Sequence, residues 1–409
     1  MSSVFSLFDI LAILYIFRSV QLGLQIWREW SAIRSEPFNR HKKHLANQAS
    51  YFVAVPIGVL FHELSHALAT WAVGGQVIEF HYRAFWGYVV PQGNFTPAQS
   101  WFIAVAGTLG SLAFGLGIWL GLRRAPSQTL RYFGLRAFRF QVYFSLVYYP
   151  LFTLIGFAGD WRTIYNFAAT PLLSGITAVL HAGTLLLFWR GDRIGWFEAP
   201  SHETVPEQER FEDLTIAASL SPQDGELQIN YIDALRRGGA YNKARHQLNQ
   251  FLAQNQDSAV AQLEQAALAS AGKRQIPKQA ALSAEEALRL GLSNPQQAVY
   301  AHEIAGRYQL DSGQVAQAIT HFNQAIALLN SDYNLDSLVQ LHLLRGQAYR
   351  RRQQYEQAYR DFQVAIGLAQ KAGNHAAMSQ AQLELETLEK HAGRTFGATP
   401  IEIPRQRNL

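Results

Sequence analysis

Three ionisable side chains, His62, Glu63 and His66, fall within five residues of the otherwise apolar stretch VPIGVLFHELSHALATWAVGG, residues 55–75. On a helix, His62 and His66 lie one turn apart and about 40° from each other on one face. Two imidazoles in that relation can reach one Zn²⁺ at about 2.0–2.1 Å. Glu63 projects about 100° round the helix, too far to join the histidines as a ligand. It is well placed to take a proton from a metal-bound water. The H-E-x-x-H pattern thus suits hydrolysis by activated water. The chain has no cysteine, so disulfides and thiolate ligands are excluded, and a metal has to be held by His, Asp or Glu. The competing reading is structural, with polar side chains satisfied by neighbouring helices. An ionisable group at the bilayer centre costs about 2.5–3.5 kcal/mol, which makes three in five residues a costly way to join helices.

The elements that must position these residues read as membrane spans. Ser50–Val73, Trp101–Leu122, Phe140–Gly159 and Ala168–Trp189 are long enough to cross about 30 Å of hydrocarbon. Phe5–Trp27, interrupted by Asp9 and Arg18, is favoured as a fifth span, with an interfacial amphipathic helix as the alternative. No Lys or Arg precedes its apolar core and no small-residue cleavage site closes it, which disfavours a signal peptide. Residues 1–200 carry 15 Lys/Arg against 8 Asp/Glu, but the basic residues sit in short loops and give no argument for nucleic acid. Residues 28–49 and 123–139 hold five Lys/Arg each, whereas 74–100 and 160–167 hold one each. By the positive-inside rule the basic loops and the C-terminal half are cytoplasmic. Residues 76–96 alternate and contain Gly87, Pro91 and Gly93, which fits either a short β-hairpin or an irregular aromatic loop.

Past Pro206 the pattern is helical and repetitive. AGRYQLDSGQVAQAITHFNQAIAL from Ala305 aligns with RGQAYRRRQQYEQAYRDFQVAIGL from Arg345 at a constant offset of 40, pairing Gly306 with Gly346, Ala318 with Ala358, Phe322 with Phe362 and Ala325 with Ala365. Small residues there let antiparallel helices approach, and the Phe fills the groove between them. Fainter copies occur at Ala244, Leu248 and Phe251 and at Ala280, Ala284 and Ala287. Helix pairs in series make a solenoid, and residues 225–370 resemble the tetratricopeptide repeat, though its usual period is shorter.

The HELSHALA motif within a membrane span, followed by a possible hairpin, resembles the site-2 proteases, zinc metalloproteases that cut inside the bilayer. AGTLGS, residues Ala106–Ser111, is similar to the small-residue stretch that packs beside that family's metal site. The resemblance covers about residues 50–165. It implies an Asp as third zinc ligand near the end of a later span, and Asp160, in YYPLFTLIGFAGDW, is the best position. The fit departs from the family pattern: Pro150 lies ten residues before Asp160 rather than five, Trp161 replaces a Gly, and Val147 stands where the family has an Asn. The Asn's role in binding substrate or the developing oxyanion is therefore unassigned. The alternative for Asp160 is a helix cap at the interface, and His181 is the substitute ligand.

The expected protein is all-α, a polytopic transmembrane helix bundle followed by a soluble tetratricopeptide-like solenoid. Its divisions are a metalloprotease domain at 1–190 (spans 5–27, 50–73, 101–122, 140–159 and 168–189), a linker and leading helix at 191–224, repeats at 225–392 and a disordered tail at 393–409. One Zn²⁺ per chain would be held by His62, His66 and Asp160, with Glu63 catalytic. The expected partners are the lipid bilayer, a membrane-protein substrate and a protein or peptide on the repeats. The rivals are an inactive protease-like scaffold and a proton- or metal-coupled transporter. Loop charge puts the metal site toward the exterior, whereas the family usually has it on the cytosolic side.

Overall fold

The computed structural model describes residues 2–84, 86–155, 159–329, 335–393 and 396, and the chain divides into two compact units. The first comprises Met1–Leu220 with Arg237–Lys243, the second Ser221–Arg236 with Ala244–Leu409.

The first unit opens with α1 (Ser2–Arg28) and the short α2 (Trp30–Arg34). They are followed by α3 (Arg40–Phe52) and α4 (Ala54–Ala72), which run on through Val53. Pro56 has no N–H to offer the carbonyl of Phe52, and Ser19 Oγ of α1 donates to that carbonyl at 2.6 Å instead. Arg18, the charge that interrupts the first apolar segment, is satisfied by Gln48 Oε1 of α3 at 2.8 Å and by Gln21 Oε1 at 2.7 Å.

After α4 the chain turns at Gly74 (φ +83°) into an antiparallel hairpin, β1 (Gln76–Arg83) and β2 (Trp86–Gln92). The register pairs Gln76 with Gln92 and Arg83 with Trp86, with a bulge between Val77 and Glu79. Of the two sequence alternatives for this stretch, the hairpin is the one formed. It is the departure from an all-helical first unit.

Helix α5 (Pro97–Leu122) starts with Pro97 at its first position behind a Thr96–Gln99 capping box. Helix α6 (Gln128–Tyr143) continues into a π-helical turn at Phe144–Tyr148 and then α7 (Tyr149–Leu154). In the π turn the N–H of Tyr149 bonds the carbonyl of Phe144. Pro150 again has no N–H, so the helix geometry shifts there. The single helix expected over Phe140–Gly159 is therefore replaced by a bulged one ending at Leu154, and residues 156–158 lie outside the described ones. Asp160 does not close that helix but precedes the four-residue α8 (Trp161–Ile164). Helix α9 (Pro171–Arg193) completes the apolar set. Among the described residues three helices are long and apolar enough to cross a membrane: Arg40–Ala72, Pro97–Leu122 and Pro171–Arg193.

Small residues bring α4, α5 and α6 together. A Cβ on Gly110 would fall 2.0 Å from Ser65 Oγ, and one on Gly58 or Gly115 would strike the side chain of Gln141. Gln141 is 1 % exposed and donates to the carbonyl of Ala54 at 2.9 Å, so its buried amide is bonded. Arg139 of α6 grips Asp192 of α9 with two bonds, at 2.7 and 2.8 Å. Beyond α9 the chain has no helix until α10 (Val205–Leu220), yet it is pinned. The N–H of His202 bonds Phe38 O, the N–H of Ser201 bonds Gly238 O, and Glu198 accepts from the N–H groups of Asn242 and Lys243.

The second unit holds α11 (Gly225–Arg237), α12 (Tyr241–Gln254), α13 (Ala259–Ser270), α14 (Lys278–Leu290), α15 (Pro295–Asp311), α16 (Val315–Leu328), α17 (Leu335–Arg351), α18 (Tyr355–Lys371) and α19 (His375–Ala392). The ends of α11 and α12 that flank the turn at 237–243 belong to the first unit. Consecutive helices pack as pairs: α13 on α14, α15 on α16 and α17 on α18. The glycine and phenylalanine shared by the two copies have a steric role. A Cβ on Gly306 would sit 2.6 Å from the ring of Phe322, and one on Gly346 would sit 2.6 Å from the ring of Phe362. Both rings are fully buried. Of the expected tail at 393–409, Gly393 and Phe396 are described and the rest lies outside the described residues.

Candidate metal centre

Helix α4 carries His62 and His66 one turn apart, and both are buried. Their Nε2 atoms lie 3.0 Å from each other, and Oδ2 of Asp160 lies 3.0 Å from each of them. Three potential ligand atoms thus form a triangle of equal sides, drawn from residues 98 positions apart in the chain. Among the described residues this is the group of three that could hold a metal ion.

The far side of each imidazole decides what the near side offers. Nδ1 of His66 lies 2.7 Å from the carbonyl of Ile103, which can only accept, so Nδ1 carries the proton. Nδ1 of His62 lies 3.3 Å from Ser111 Oγ, whose hydroxyl is within reach of the carbonyls of Gly58 and Gly107. With that proton on a carbonyl, the oxygen can accept from His62 Nδ1. In that tautomer both neutral histidines turn an Nε2 lone pair toward the Asp160 carboxylate. A metal cation seated against the three atoms would satisfy them, as would a proton on one Nε2 in its absence. Outer partners of this kind orient the ligands of protein metal sites. The set, two neutral imidazoles and a carboxylate, suits zinc with a fourth position left over.

Glycine lets α5 come this close. A Cβ on Gly107 would lie 2.3 Å from His66 Nε2 and 2.7 Å from His62 Nε2. This gives the AGTLGS stretch its physical content: Gly107 makes room for the imidazoles, Gly110 for Ser65, and Ser111 orients His62. Glu63 stays outside the triangle, 4 % exposed, with β2 laid over it closely enough that a Cβ on Gly87 would fall 2.7 Å from Glu63 Cγ. Glu63, Val89, Tyr149, Asp160 and Thr163 share a cavity of about 380 Å³ with the two histidines.

Asp160 is carried by a short segment anchored on both sides. Trp161 is 4 % exposed and packs in a cluster with Val142, Leu146, Ile164 and Phe188. Where the sequence comparison shows a Gly replaced, the structure has an indole that holds the backbone beside the carboxylate. Tyr149 donates to Asp160 Oδ2 at 2.9 Å and accepts the Asp160 N–H at 3.1 Å. Tyr149 has no signal in the sequence, because no spacing rule links a tyrosine to an aspartate eleven residues later across a helix end. His181 stands elsewhere. Its Nε2 lies 2.6 Å from the carbonyl of Leu146 and its Nδ1 lies 2.5 Å from the Tyr165 hydroxyl. Both ring nitrogens are engaged within the helix packing, away from the triangle.

Residues 45–194 match the family model described as Peptidase M50B-like. That stretch contains His62, Glu63, His66 and Asp160 and ends before the second unit. The match supports likeness to the site-2 protease family for this part of the chain, and with the three apolar helices it supports a membrane protein. No curated protein matches the chain.

Proposed function

We propose that the chain is an intramembrane zinc endopeptidase that cleaves membrane-protein substrates, with a C-terminal repeat domain that binds a protein or peptide partner. The observation that carries the reading is the 3.0 Å convergence of His62 Nε2, His66 Nε2 and Asp160 Oδ2. The match to the peptidase family model supports it.

His62, His66 and Asp160 would hold the zinc, which when bound acts as a Lewis acid and brings the pKa of a coordinated water to about 7. Glu63, set outside the triangle and facing the same cavity, accepts the proton of the attacking water and passes it to the leaving amine. The cover of β2 and the buried position of the ligands limit competing water. A transmembrane substrate has to unwind before its carbonyls are free, and the hairpin offers a strand edge on which an unwound segment is held extended. The five-span topology rests on the apolar lengths read from the sequence, and the cytoplasmic side of the repeats rests on loop charge. The tetratricopeptide reading of the second unit is supported by the helix pairs and by the glycine–phenylalanine contacts repeated at an offset of 40.

The test compares membrane proteomes of cells carrying native protein and Glu63→Gln. The proposal expects the variant to retain zinc while a membrane substrate accumulates uncut. Equal cleavage by both forms would remove the peptidase reading.

A further inference from the structure

We infer that Tyr149 is a positioning residue for the third metal ligand, holding the Asp160 carboxylate so that Oδ2 faces the imidazole pair. The inference rests on the zinc reading of the site. Nothing in Asp160's own element performs this task. The residue lies past the end of α7, and the helix that follows it has only four residues. A ligand on such a short segment needs an anchor in a longer element. Tyr149 supplies one from the start of α7, directly after the π turn.

The hydrogen-bond geometry is closed. The phenol oxygen accepts from the backbone N–H of Asp160 at 3.1 Å and donates to Oδ2 of the same residue at 2.9 Å. A hydroxyl has one proton to give, and with the N–H taking a lone pair, that proton points at Oδ2. The oxygen it binds is the one that lies 3.0 Å from both Nε2 atoms. Tyr149 therefore takes one acceptor direction of Oδ2 and leaves the other toward the histidines. The carboxylate is then set to bind through that single oxygen.

Two contacts keep the phenol in place. Its ring stands nearly perpendicular to His62, at 79° with centroids 5.4 Å apart, so it also bounds the imidazole's tilt. The chain passes close by: a Cβ on Gly159 would lie 3.2 Å from both the Tyr149 hydroxyl and its Cε2. Tyr149 thus takes part in fixing the ligand at the position where this sequence departs most from the site-2 protease pattern.

The test uses full-length protein and the change Tyr149→Phe, which keeps the ring and removes the hydroxyl. Zinc affinity is measured by chelator competition, the metal environment by the visible spectrum of the cobalt-substituted protein, and melting with and without zinc. The expected result is a loss of zinc affinity of about 10- to 100-fold, the range for outer-shell partners. A changed cobalt spectrum and a smaller zinc-induced rise in Tm accompany it, beyond the fall in the zinc-free Tm that loss of the acceptor for the Asp160 N–H brings. A purely structural role would instead lower both melting points by the same amount and leave the zinc-induced rise unchanged. Unchanged zinc affinity in Tyr149→Phe, with native protein binding zinc and His66→Ala failing to, would overturn the inference while the peptidase reading stood. Native protein that takes up no zinc would overturn both.

Discussion

His181 Nε2 donates to the carbonyl of Leu146 across 2.6 Å, joining α9 to the π turn of α6 and α7. The contact has a local cause. In a regular helix the N–H four residues on would serve that carbonyl, but the residue there is Pro150. The imidazole supplies the missing donor, and its other nitrogen takes the Tyr165 hydroxyl proton. A lone histidine in an apolar helix is here a repair to a proline-interrupted helix rather than a ligand.

The first prediction follows from that role. His181→Phe leaves the Leu146 carbonyl without its donor, at a cost of about 1–3 kcal/mol for a buried group left unsatisfied. Melting of the protein in detergent is expected to fall, while zinc content stays at one per chain. Loss of zinc without loss of melting temperature would instead make His181 a ligand.

Gly107→Ala is expected to abolish zinc binding, because the new methyl would lie 2.3 Å from His66 Nε2 and 2.7 Å from His62 Nε2, well inside contact distance. Gly117→Ala in the same helix is the control, since a Cβ there meets nothing within 4 Å. Metal analysis of the two purified variants decides it. Full zinc in Gly107→Ala would show that α5 yields without disturbing the ligands.

The second unit carries a pH dependence of its own. His302 on α15 and His321 on α16 meet Nδ1 to Nδ1 at 3.1 Å. Burial, and the neighbouring imidazole, push His302 down from 6.5 to about 4, and burial also lowers His321 against the pull of Glu285. Because the folded pKa lies below the unfolded one, the unfolded chain takes up more protons as pH falls from about 6.5 toward 4. Stability is therefore intact at neutral pH and declines through that window. Both rings are part-exposed, so water screening holds the loss to about 1–2 kcal/mol rather than the full range. Protection factors of α15 and α16 amides, referred to the intrinsic exchange rate at each pH, are expected to fall between pH 7 and pH 5, with a weaker response in His321→Gln. An identical response in that variant would put the pH dependence elsewhere.

The sequence makes the helical character and the H-E-x-x-H helix legible because both follow from local periodicity. His62 and His66 share a face by spacing alone, and the aligned copies around Gly306 and Gly346 are legible because the same glycine must admit the same phenylalanine ring. Features that depend on which segments meet in space were less accessible. Asp160 stands out as an acidic residue in an apolar region, but its approach to the imidazoles depends on the close passage of α5 at Gly107 and on Trp161 being buried. Hydropathy carries the helix past its end at Leu154 because apolar composition continues, while Pro150 acts on hydrogen bonds and not on hydropathy. Tyr149 gives no signal in the sequence, since its partner lies beyond a helix end. Residues 76–96 fit a hairpin and an aromatic loop equally well in sequence; the strands form, and glycine at position 87 lets β2 lie over Glu63.

The central claim is that one zinc ion is bound between His62, His66 and Asp160. Anomalous diffraction from crystals of the full chain, recorded on both sides of the zinc absorption edge, tests it most directly. The account predicts one strong peak per chain within bonding distance of His62 Nε2, His66 Nε2 and Asp160 Oδ2, absent in His66→Ala. Zinc-soaked crystals that show no peak there, or a peak at other residues with these three still in mutual contact, would contradict it.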